Sequence, residues 1–367
     1  MARIQIRSSA GRYEVHCGEG MLARGGALVT RLGESTGTFV LSSPRVWKAC
    51  GRRVSDNFRG KQVRGVILFD DREANKRLAT VEKIARMLVR ASADRRCVLI
   101  AVGGGVVGDV AGFVAATYLR GVQLVHVPTT LLAQVDSSIG GKTGVDLPEG
   151  KNLVGAFYPP KVVIADSSLL ETLPHRELRS GLYEVVKYAV IADRELFEYV
   201  ERHMSALLRR DPKALTWVIE RSIRIKARVV SKDEREGGVR QILNFGHTLG
   251  HSLEAATDYK RFAHGEAIGW GMLAATMLGA ARGRIGAREA ARIIRVIASV
   301  GPLPSIAGIG AGELGKIVAG DKKALHGRAR WVLPVEIGKV VWGEEVPWKM
   351  AARAFGELPK IAAKARE

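Results

Sequence analysis

Residues 97–117 read CVLIAVGGGVVGDVAGFVAAT and decide the fold class. The apolar run Cys97–Val102 predicts a buried strand. Three glycines follow in the spacing G-x-G-x-x-G, starting at Gly103, and the small residues of Val110–Thr117 predict a helix. A strand that turns through glycines into a helix is typical of a doubly wound α/β domain.

Outside this stretch, the first half of the chain continues to alternate short apolar strands with helical spacing. A helical pattern of apolar residues covers Asn75–Ala91. Strands and helices in alternation predict a mostly parallel, doubly wound sheet. The predicted buried strands are Gly37–Ser42, Val63–Phe69, Cys97–Val102 and Val122–Val127.

The second half has a different pattern, with long helical periods and a small late hairpin. A chain of 367 residues exceeds the size at which one hydrophobic core usually stops growing. We therefore predict a Rossmann-like α/β domain, 1–166, and a mainly α-helical domain, 167–367, with the cleft between them as the default site. The helical periods are Leu178–Val200, Pro212–Val230 and His264–Ala281, and the hairpin strands are Arg330–Leu333 and Lys339–Val341.

Composition limits the classes of partner. The 57 Lys and Arg against 37 Asp and Glu give a net charge of +20, which attracts anions such as phosphorylated substrates. These basic residues are spread along the chain without an arm, an aromatic platform or a recognised module, so specific nucleic-acid binding is not expected. Loose, salt-sensitive adhesion to nucleic acid stays compatible with this charge.

The chain start and the cysteines indicate a cytoplasmic protein. The opening MARIQIRSSAGRYEVHCG is polar and lacks the apolar core of a signal peptide. The long apolar run Val98–Val127 is broken by glycines and charged residues, which disfavours a membrane span. Cys17, Cys50 and Cys97 lack the close spacing of zinc or redox motifs, so reduced thiols are expected.

The glycine loop has two interpretations. Gly103, Gly105 and Gly108 lack Cβ atoms, so backbone N–H groups at a helix start can approach a pyrophosphate. The same spacing also fits a tight strand-to-helix turn that binds nothing. The acid expected after the next strand is absent, because VQLVHV runs into PTT at 128–130. An adenosine ribose would have to be held differently from the usual scheme.

A second group of residues has the chemistry of a metal site. His247 and His251 are four residues apart in HTLGH, which on a helix points both imidazoles to one side. Glu184 lies in the helical stretch SGLYEVVKY, and His264 opens HGEAIGWGM. Two or three imidazoles with one carboxylate and an open position suit catalytic zinc. The spacing leaves open whether His251 is a ligand, and such a histidine pair alone is more often a packed or surface pair.

Four long motifs follow the glycine loop, in the order VPTTLLAQVDSSIGGKTGVDLPEGKNLVGAFYPPKVV, LRSGLYEVVKY, DEREGGVRQILNFGHTLGHSLE and HGEAI. With them, the chain resembles the 3-dehydroquinate synthase family from about Ile67 to Gly338. The resemblance implies an NAD-binding α/β domain joined to a helical metal-binding domain, in agreement with the predicted boundary.

The resemblance implies two cofactors, NAD and Zn²⁺ or Co²⁺. Glu184, His247 and His264 match the metal ligands of the family, and His251 then becomes a neighbour that contacts substrate or orders water. Glu73 and Lys76, three residues apart, resemble a further cofactor pair of the family. The remaining matched cofactor positions are Gly104, Gly105, Val106, Asp109, Thr129, Thr130, Asp136, Lys142, Lys151 and Thr172.

The resemblance also implies a substrate site for a sugar-acid phosphate. Arg120 matches a basic residue that reaches the substrate phosphate from the neighbouring subunit of a homodimer. Lys322 or Lys323, in the DKK element, is expected to supply one more cation. The other matched substrate positions are Asp136, Lys142, Asn152, Lys187, Lys226, Arg240, Asn244 and His251.

Each of these residues has an ordinary alternative when it is taken singly. Asp136 and Asn152 could cap turns, Lys142 and Lys151 could be solvated charges, and Thr172 could begin a helix. Basic groups gathered in motifs around one predicted site favour binding, because a substrate with a carboxylate and a phosphate needs paired cations.

One departure from the family concerns the nucleoside. Members of the family often have Asp and Asn near the end of the second strand, where they hold the nucleoside. The corresponding stretch of this chain, LSSPRVW, has Ser42 and Ser43 instead.

The resemblance implies a shikimate-pathway reaction, conversion of 3-deoxy-arabino-heptulosonate 7-phosphate to 3-dehydroquinate and phosphate. Transient oxidation by NAD, phosphate elimination, reduction and intramolecular aldol closure would leave no net redox change. Three alternatives are another sugar-phosphate cyclase, a metal- and NAD-dependent polyol dehydrogenase, and a basic nucleic-acid binder. Net NADH accumulation would indicate the dehydrogenase, and salt-resistant duplex binding would indicate the last.

Overall fold

The computed structural model describes residues 1–58, 63–320 and 330–366. The strands in these ranges are β1 (Ala2–Ser8), β2 (Gly11–Gly18), β3 (Thr38–Ser42), β4 (Val63–Leu68), β5 (Val98–Gly103), β6 (Gln123–Pro128), β7 (Lys142–Leu147), β8 (Gly150–Phe157), β9 (Val162–Asp166), β10 (Arg330–Glu336) and β11 (Lys339–Glu345). The α-helices are α1 (Gly25–Thr30), α2 (Pro44–Asn57), α3 (Leu78–Arg90), α4 (Gly105–Thr117), α5 (His175–Ala192), α6 (Arg194–Leu208), α7 (Pro212–Lys232), α8 (His247–Ala256), α9 (His264–Ala281), α10 (Ala287–Ser299), α11 (Ala311–Gly320) and α12 (Trp348–Lys364).

The chain folds into two compact units. The first unit contains Met1–Pro174 and Leu215–Glu234, and the second contains His175–Ala214 and Arg235–Glu367. These units are defined by packing, whereas the domains predicted from the sequence are defined by what they bind. The boundary near Asp166 therefore stays a prediction.

The first unit is built on a seven-stranded sheet with the order β1-β2-β9-β6-β5-β3-β4. All neighbouring strands are parallel except β1 and β2, which form an antiparallel hairpin at one edge. The predicted doubly wound sheet is confirmed. The four strands predicted from apolar runs correspond to β3, β4, β5 and β6, and the edge hairpin was not predicted.

The two faces of the sheet carry separate apolar cores. Phe39, Leu41 and Leu99 pack on the face covered by α3 and α4. Val40 and Ile100 pack on the other face, with residues of α1 and α2. Successive side chains of a strand point to opposite faces, so a strand buried on both faces reads as a continuous apolar run. This is why these strands were visible in the sequence.

The carboxyl ends of the parallel strands carry most of the predicted cofactor residues. The chain proceeds outward from β3 to β4 in one direction and from β5 through β6 to β9 in the other, so the winding direction changes between β3 and β5. Ligands of open α/β sheets bind outside the carboxyl ends of strands at such a switch point. The glycine loop leaves β5 at this position, and Thr129 follows β6 directly.

A buried histidine on β6 makes the stability of the protein sensitive to acid. His126 is 7% exposed, and burial lowers its pKa to about 4 from an ordinary value of 6.5. Between pH 6.5 and pH 4, the His126 side chain is protonated in the unfolded chain and neutral in the folded chain. The free energy of unfolding therefore decreases as the pH falls from 6.5 toward 4.

We expect the protonation of His126 in the unfolded chain to lower the free energy of unfolding by about 3 kcal/mol between pH 7 and pH 4. Urea unfolding of the native chain and of His126→Leu at both pH values measures the effect, because the variant has no group to titrate there. Equal losses of stability in the two proteins would contradict the assignment.

The second unit is mainly helical and includes the small hairpin of β10 and β11, which corresponds to the predicted one. The single helical period predicted over Leu178–Val200 is wrong in one respect, because the chain breaks between α5 and α6 at Asp193. Its side chain accepts a hydrogen bond from the N–H of Leu196 at 3.0 Å and so caps α6. The prediction over His264–Ala281 coincides with α9.

No helix in the described parts of the chain combines the length and the apolar character needed to cross a membrane. The three cysteines are free and buried. Burial raises the pKa of the Cys17 thiol to about 12 and of the Cys50 and Cys97 thiols to about 11, so all three are poor nucleophiles at neutral pH.

Candidate active site

Glu184 is a carboxylate in the middle of a completely buried helical segment. Every side chain of α5 from Ser180 to Ile191 is buried, and Glu184 itself is 0% exposed. Lys187, one turn later, forms an ion pair with its Oε2 atom. Within the described residues, no group donates a hydrogen bond to the buried Oε1 atom. A buried charge is costly unless it is compensated, so Oε1 is positioned for a further cation.

Glycines bring the start of α9 against α5. A Cβ atom on Gly265 would lie 2.1 Å from the carbonyl oxygen of Ser180, and the N–H of Gly265 donates to the Ser180 hydroxyl at 3.0 Å. His264 is the neighbour of Gly265, and Glu184 lies one turn beyond Ser180. This contact therefore places the His264 ring beside the Glu184 carboxylate.

The same close packing holds α8 against α9. A Cβ atom on Gly271 would lie 1.8 Å from the carbonyl oxygen of Gly246, the left-handed residue that precedes α8. Only glycine fits this approach, because any larger residue would push the helices apart. His247 is the first residue of α8, and its ring centroid lies 5.5 Å from that of His264.

The two rings present the same nitrogen to Glu184. Nε2 of His247 lies 3.8 Å, and Nε2 of His264 lies 3.7 Å, from Oε1 of Glu184. These separations are too long for hydrogen bonds. They are close to the roughly 3.3–3.6 Å between neighbouring ligands of a tetrahedral ion with bonds of about 2.0–2.2 Å.

Both rings have a partner on the other nitrogen. Nδ1 of His247 lies 3.1 Å from the carbonyl oxygen of Phe245, and Nδ1 of His264 lies 3.4 Å from Oε2 of Glu254. A proton on each Nδ1 leaves the Nε2 lone pair free. Burial, aided by the Lys187 ammonium, holds the pKa of His247 well below its usual range, so this ring is neutral at pH 7.

These features fit a divalent ion. One ligand atom from each of Glu184, His247 and His264 lies within 4.8 Å of the others. The set combines two imidazoles, of which that of His247 is neutral, with a carboxylate whose Oε1 atom has no donor among the described residues. His251 lies beside the set, with its ring centroid 5.1 Å from that of His247, and also belongs to a second group with Glu254 and His264.

The first unit holds a separate network around Lys76. Its ammonium, 4% exposed, forms an ion pair with Oδ2 of Asp109 at 2.6 Å and donates to Oδ1 of Asn152. The backbone N–H of Asn152, a left-handed residue, donates to Oδ1 of Asp146 at 2.8 Å. Desolvation raises the pKa of the Asp109 carboxyl, and Lys76 opposes that rise. The structure thus connects two predicted cofactor residues with a predicted substrate residue.

Packing explains some glycines of the loop better than others. A Cβ atom on Gly103 would lie 2.5 Å from the Val107 side chain, so internal packing requires glycine there. At Gly105 the nearest atom to a Cβ would be Oγ of Ser137 at 3.4 Å, which is a milder restriction. Among the described residues, no side chain caps the start of α4, so its first N–H groups remain available for an anion.

Two further ion pairs of the first unit join predicted residues. Lys226 on α7 is buried, and its ammonium donates to the carbonyl oxygen and to Oδ1 of Asp136 at 2.7 and 2.8 Å. Asp136 lies in a short π-helical turn, a local geometry often found at functional sites. Lys151 pairs with Glu73 at 2.9 Å on a more exposed surface.

Ser42 and Ser43, which stand where the family often has Asp and Asn, have structural partners. The Ser42 hydroxyl donates to the carbonyl oxygen of Val102 at 2.8 Å, and the Ser43 hydroxyl accepts from the N–H of Val46 at the start of α2. Both hydroxyls are thus used in holding β3 and α2, and neither contact points to an adenosine ligand.

The other predicted site residues differ in their contacts and in their exposure to solvent. Asn244 donates from Nδ2 to Oε1 of Glu236 at 2.7 Å. Arg120 is exposed in a left-handed turn that ends α4. The buried side chain in this group is Arg240, the exposed ones are Lys142 and Thr172, and the partly buried ones are Val106 and Thr130.

Thr172 lies three residues before α5 and so does not cap it. The predicted cation Lys322, and its neighbour Lys323, lie outside the described residues.

Glu236 and Glu254 lie beside predicted residues but were not predicted themselves. Glu236 contacts Asn244, and Glu254 contacts His264. Both lie in the quoted motif DEREGGVRQILNFGHTLGHSLE. Glu254 lies seven residues after His247, which on a helix is the same face, so the spacing was a usable signal for it.

Solved structures with the same fold include two sugar-phosphate cyclases. A 2-deoxy-scyllo-inosose synthase complexed with carbaglucose-6-phosphate, NAD⁺ and Co²⁺ is 28% identical, with a TM-score of 0.85 over 97% of this chain and 99% of that one. The 2-epi-5-epi-valiolone synthase of Streptomyces hygroscopicus subsp. jinggangensis 5008, with NAD⁺ and Zn²⁺ bound, is 28% identical with a TM-score of 0.86, covering 95% and 97% of the two chains. The predicted fold class is confirmed.

Sequence comparison gives the family. The 3-dehydroquinate synthase of Koribacter versatilis (strain Ellin345) is 45% identical over 364 residues, 99% of both chains. That of Solibacter usitatus (strain Ellin6076) is 47% identical over 311 residues, 84% of this chain and 87% of that one. The family models 3-dehydroquinate synthase N-terminal and 3-dehydroquinate synthase C-terminal match residues 66–180 and 181–324. The chain belongs to the 3-dehydroquinate synthase family.

Proposed function

We propose that the chain is a 3-dehydroquinate synthase of the shikimate pathway, a lyase that converts 3-deoxy-arabino-heptulosonate 7-phosphate to 3-dehydroquinate and inorganic phosphate. The observation that carries this proposal is the set of Glu184, His247 and His264, in a chain 45% identical to a relative of that name over 364 residues. We further propose that 1–166 binds NAD and that 167–367 binds the metal and much of the substrate.

Glu184, His247 and His264 would hold Zn²⁺ or Co²⁺. Such an ion supplies Lewis acidity, which lowers the pKa of a substrate hydroxyl that is to be oxidised. Lys187 neutralises Oε2 of the Glu184 carboxylate and so leaves Oε1 as its coordinating atom. His251, beside both ligand histidines, would orient a substrate hydroxyl or a water molecule.

Residues of the first unit would hold NAD. The N–H groups at the start of α4, including those of Gly105 and Val106, would bind the pyrophosphate. NAD supplies a hydride acceptor that is regenerated within one turnover. The other proposed contacts are Gly104, Asp109, Thr129, Thr130, Asp136, Lys142, Lys151, Thr172, Glu73 and Lys76.

Basic residues would neutralise the two anionic ends of the substrate. Carboxylates and phosphates are bound best by paired charge-assisted hydrogen bonds. Asn152 and Asn244 would orient hydroxyls, and Asp136 would position Lys226, which it contacts at 2.8 Å. The proposed cations are Lys142, Lys187, Lys226, Arg240 and Lys322, together with Arg120 supplied across a homodimer.

A second candidate is another sugar-phosphate cyclase, since two such enzymes share the fold. A heptulose or hexose phosphate lacks the carboxylate of the heptulosonate. The presence of Lys142, Asn152, Arg240, Asn244 and His251 at the family positions favours the substrate with the carboxylate.

Phosphate release tests the proposal. Purified protein with NAD and the heptulosonate phosphate should release inorganic phosphate in many turnovers, and a chelator should stop the release. NADH should not accumulate, because the net redox change is zero. Stoichiometric NADH build-up would indicate a dehydrogenase, and phosphate release from a hexose phosphate but not from the heptulosonate would indicate the other cyclase.

A further inference from the structure

Glu254 is a buried carboxylate beside the proposed metal ligands. It is 5% exposed and lies on α8, seven residues after His247 and three after His251. Residues at these spacings share one face of a helix. Glu254 therefore faces the same region as the two histidines of its own helix.

The contact of Glu254 with His264 places one imidazole between two carboxylates. Oε2 of Glu254 lies 3.4 Å from Nδ1 of His264, and Oε1 of Glu184 lies 3.7 Å from Nε2 of the same ring. The approach of α8 to α9 makes this contact possible. At Gly250 a Cβ atom would lie 3.1 Å from the carbonyl oxygen of Ala267, so the backbones of the two helices lie close together there.

On the basis of the proposed function, we propose that Glu254 is a positioning residue for the metal site. Its carboxylate accepts the Nδ1–H of His264, holds the ring with Nε2 directed at Glu184 and makes Nε2 a stronger ligand. Carboxylate partners of ligating histidines act in this way in metal sites generally. The partner of His247 on Nδ1 is a neutral group, the carbonyl oxygen of Phe245 at 3.1 Å.

Glu254 could instead be a metal ligand itself. His251, Glu254 and His264 offer ligand atoms within 4.8 Å of one another. A neutral imidazole has one lone pair, so His264 can bind an ion through Nε2 or through Nδ1 but not through both. Our inference requires Nε2 and therefore one ion per chain, whereas an ion on Nδ1 would make Glu254 a ligand.

Zinc affinity of the Glu254→Gln variant tests the inference. Competition with a chelator should show affinity about 10- to 100-fold below that of the wild-type chain. Glu254→Asp keeps the charge and should recover most of this loss. Glu201→Gln, which removes a carboxylate paired with Arg292 instead, should bind zinc like the wild type. The metal-free variants should unfold at the same urea concentration as the metal-free wild type.

The outcomes separate this inference from the proposed function. Wild-type affinity in Glu254→Gln would overturn the role of Glu254 and leave the metal site intact. A wild-type chain that binds no zinc would overturn both. Should Glu254→Gln fail to fold, ¹⁵N spectra of histidine-labelled, zinc-loaded wild-type protein decide. The expected result is a proton on Nδ1 of His264 and zinc on Nε2, and zinc on Nδ1 would overturn the inference.

Discussion

Replacement of His247 with alanine is expected to slow phosphate release at least about 1000-fold, which corresponds to roughly 4 kcal/mol of activation free energy. The variant loses one of the two imidazoles whose Nε2 atoms face Oε1 of Glu184, and a carboxylate with a single histidine holds a divalent ion poorly. Phosphate release measured with saturating substrate, NAD and zinc gives the effect, and circular dichroism should show an unchanged helix content.

A histidine elsewhere in the second unit provides the control. The His203 ring stacks on Tyr199 with a centroid separation of 4.1 Å and belongs to neither group of possible metal ligands. His203→Ala should therefore keep wild-type phosphate release and zinc content. Phosphate release by His247→Ala at the wild-type rate would remove His247 from the ligand set.

Replacement of Lys76 with methionine is expected to reduce the free energy of unfolding by about 2–3 kcal/mol, because it leaves the Asp109 carboxylate, whose side chain is 23% exposed, without its ammonium partner at 2.6 Å. Removal of Lys76 also removes the charge that opposes the rise in the Asp109 pKa. A carboxyl whose folded pKa is raised loses stability as the pH increases, so the deficit should shrink in acid. Urea unfolding at pH 7 and pH 5 measures both effects.

Two controls distinguish this pair, in which Lys76 is buried and Asp109 is partly buried, from an ordinary charge change. Lys151→Met breaks the ion pair between Lys151 and Glu73, whose side chains are 26% and 37% exposed respectively. This variant should lower the free energy of unfolding by no more than about 1 kcal/mol. The double variant Lys76→Met, Asp109→Leu replaces both charges with apolar groups and should recover much of the loss. Equal effects of Lys76→Met and Lys151→Met would show that burial of the pair is unimportant.

The sequence was informative where structure depends on local periodicity. The buried parallel strands are apolar on both faces, so β3, β5 and β6 read as continuous runs, and α9 reads as one small-residue helix. The motifs around His247 and His264 could be recognised because each is a contiguous stretch of sequence that resembles a motif of the family. In the structure, each histidine is the first residue of a helix.

Long-range contacts could not be read in the same way. Lys76, Asp109 and Asn152 are separated by tens of residues, and only the folded sheet brings the three side chains together. The break at Asp193 depends on a cap whose signal is a single residue within a continuing apolar pattern. The close approach of α8 and α9 depends on Gly271, which in sequence reads only as a weak helix former.

Crystals of the zinc-loaded protein, with anomalous scattering measured at the zinc absorption edge, test the metal site most directly. We predict one zinc ion per chain, bonded to the Glu184 carboxylate and to Nε2 of His247 and His264 at about 2.0–2.2 Å. A zinc ion bound to other residues, or no ordered zinc at a saturating concentration, would contradict the account.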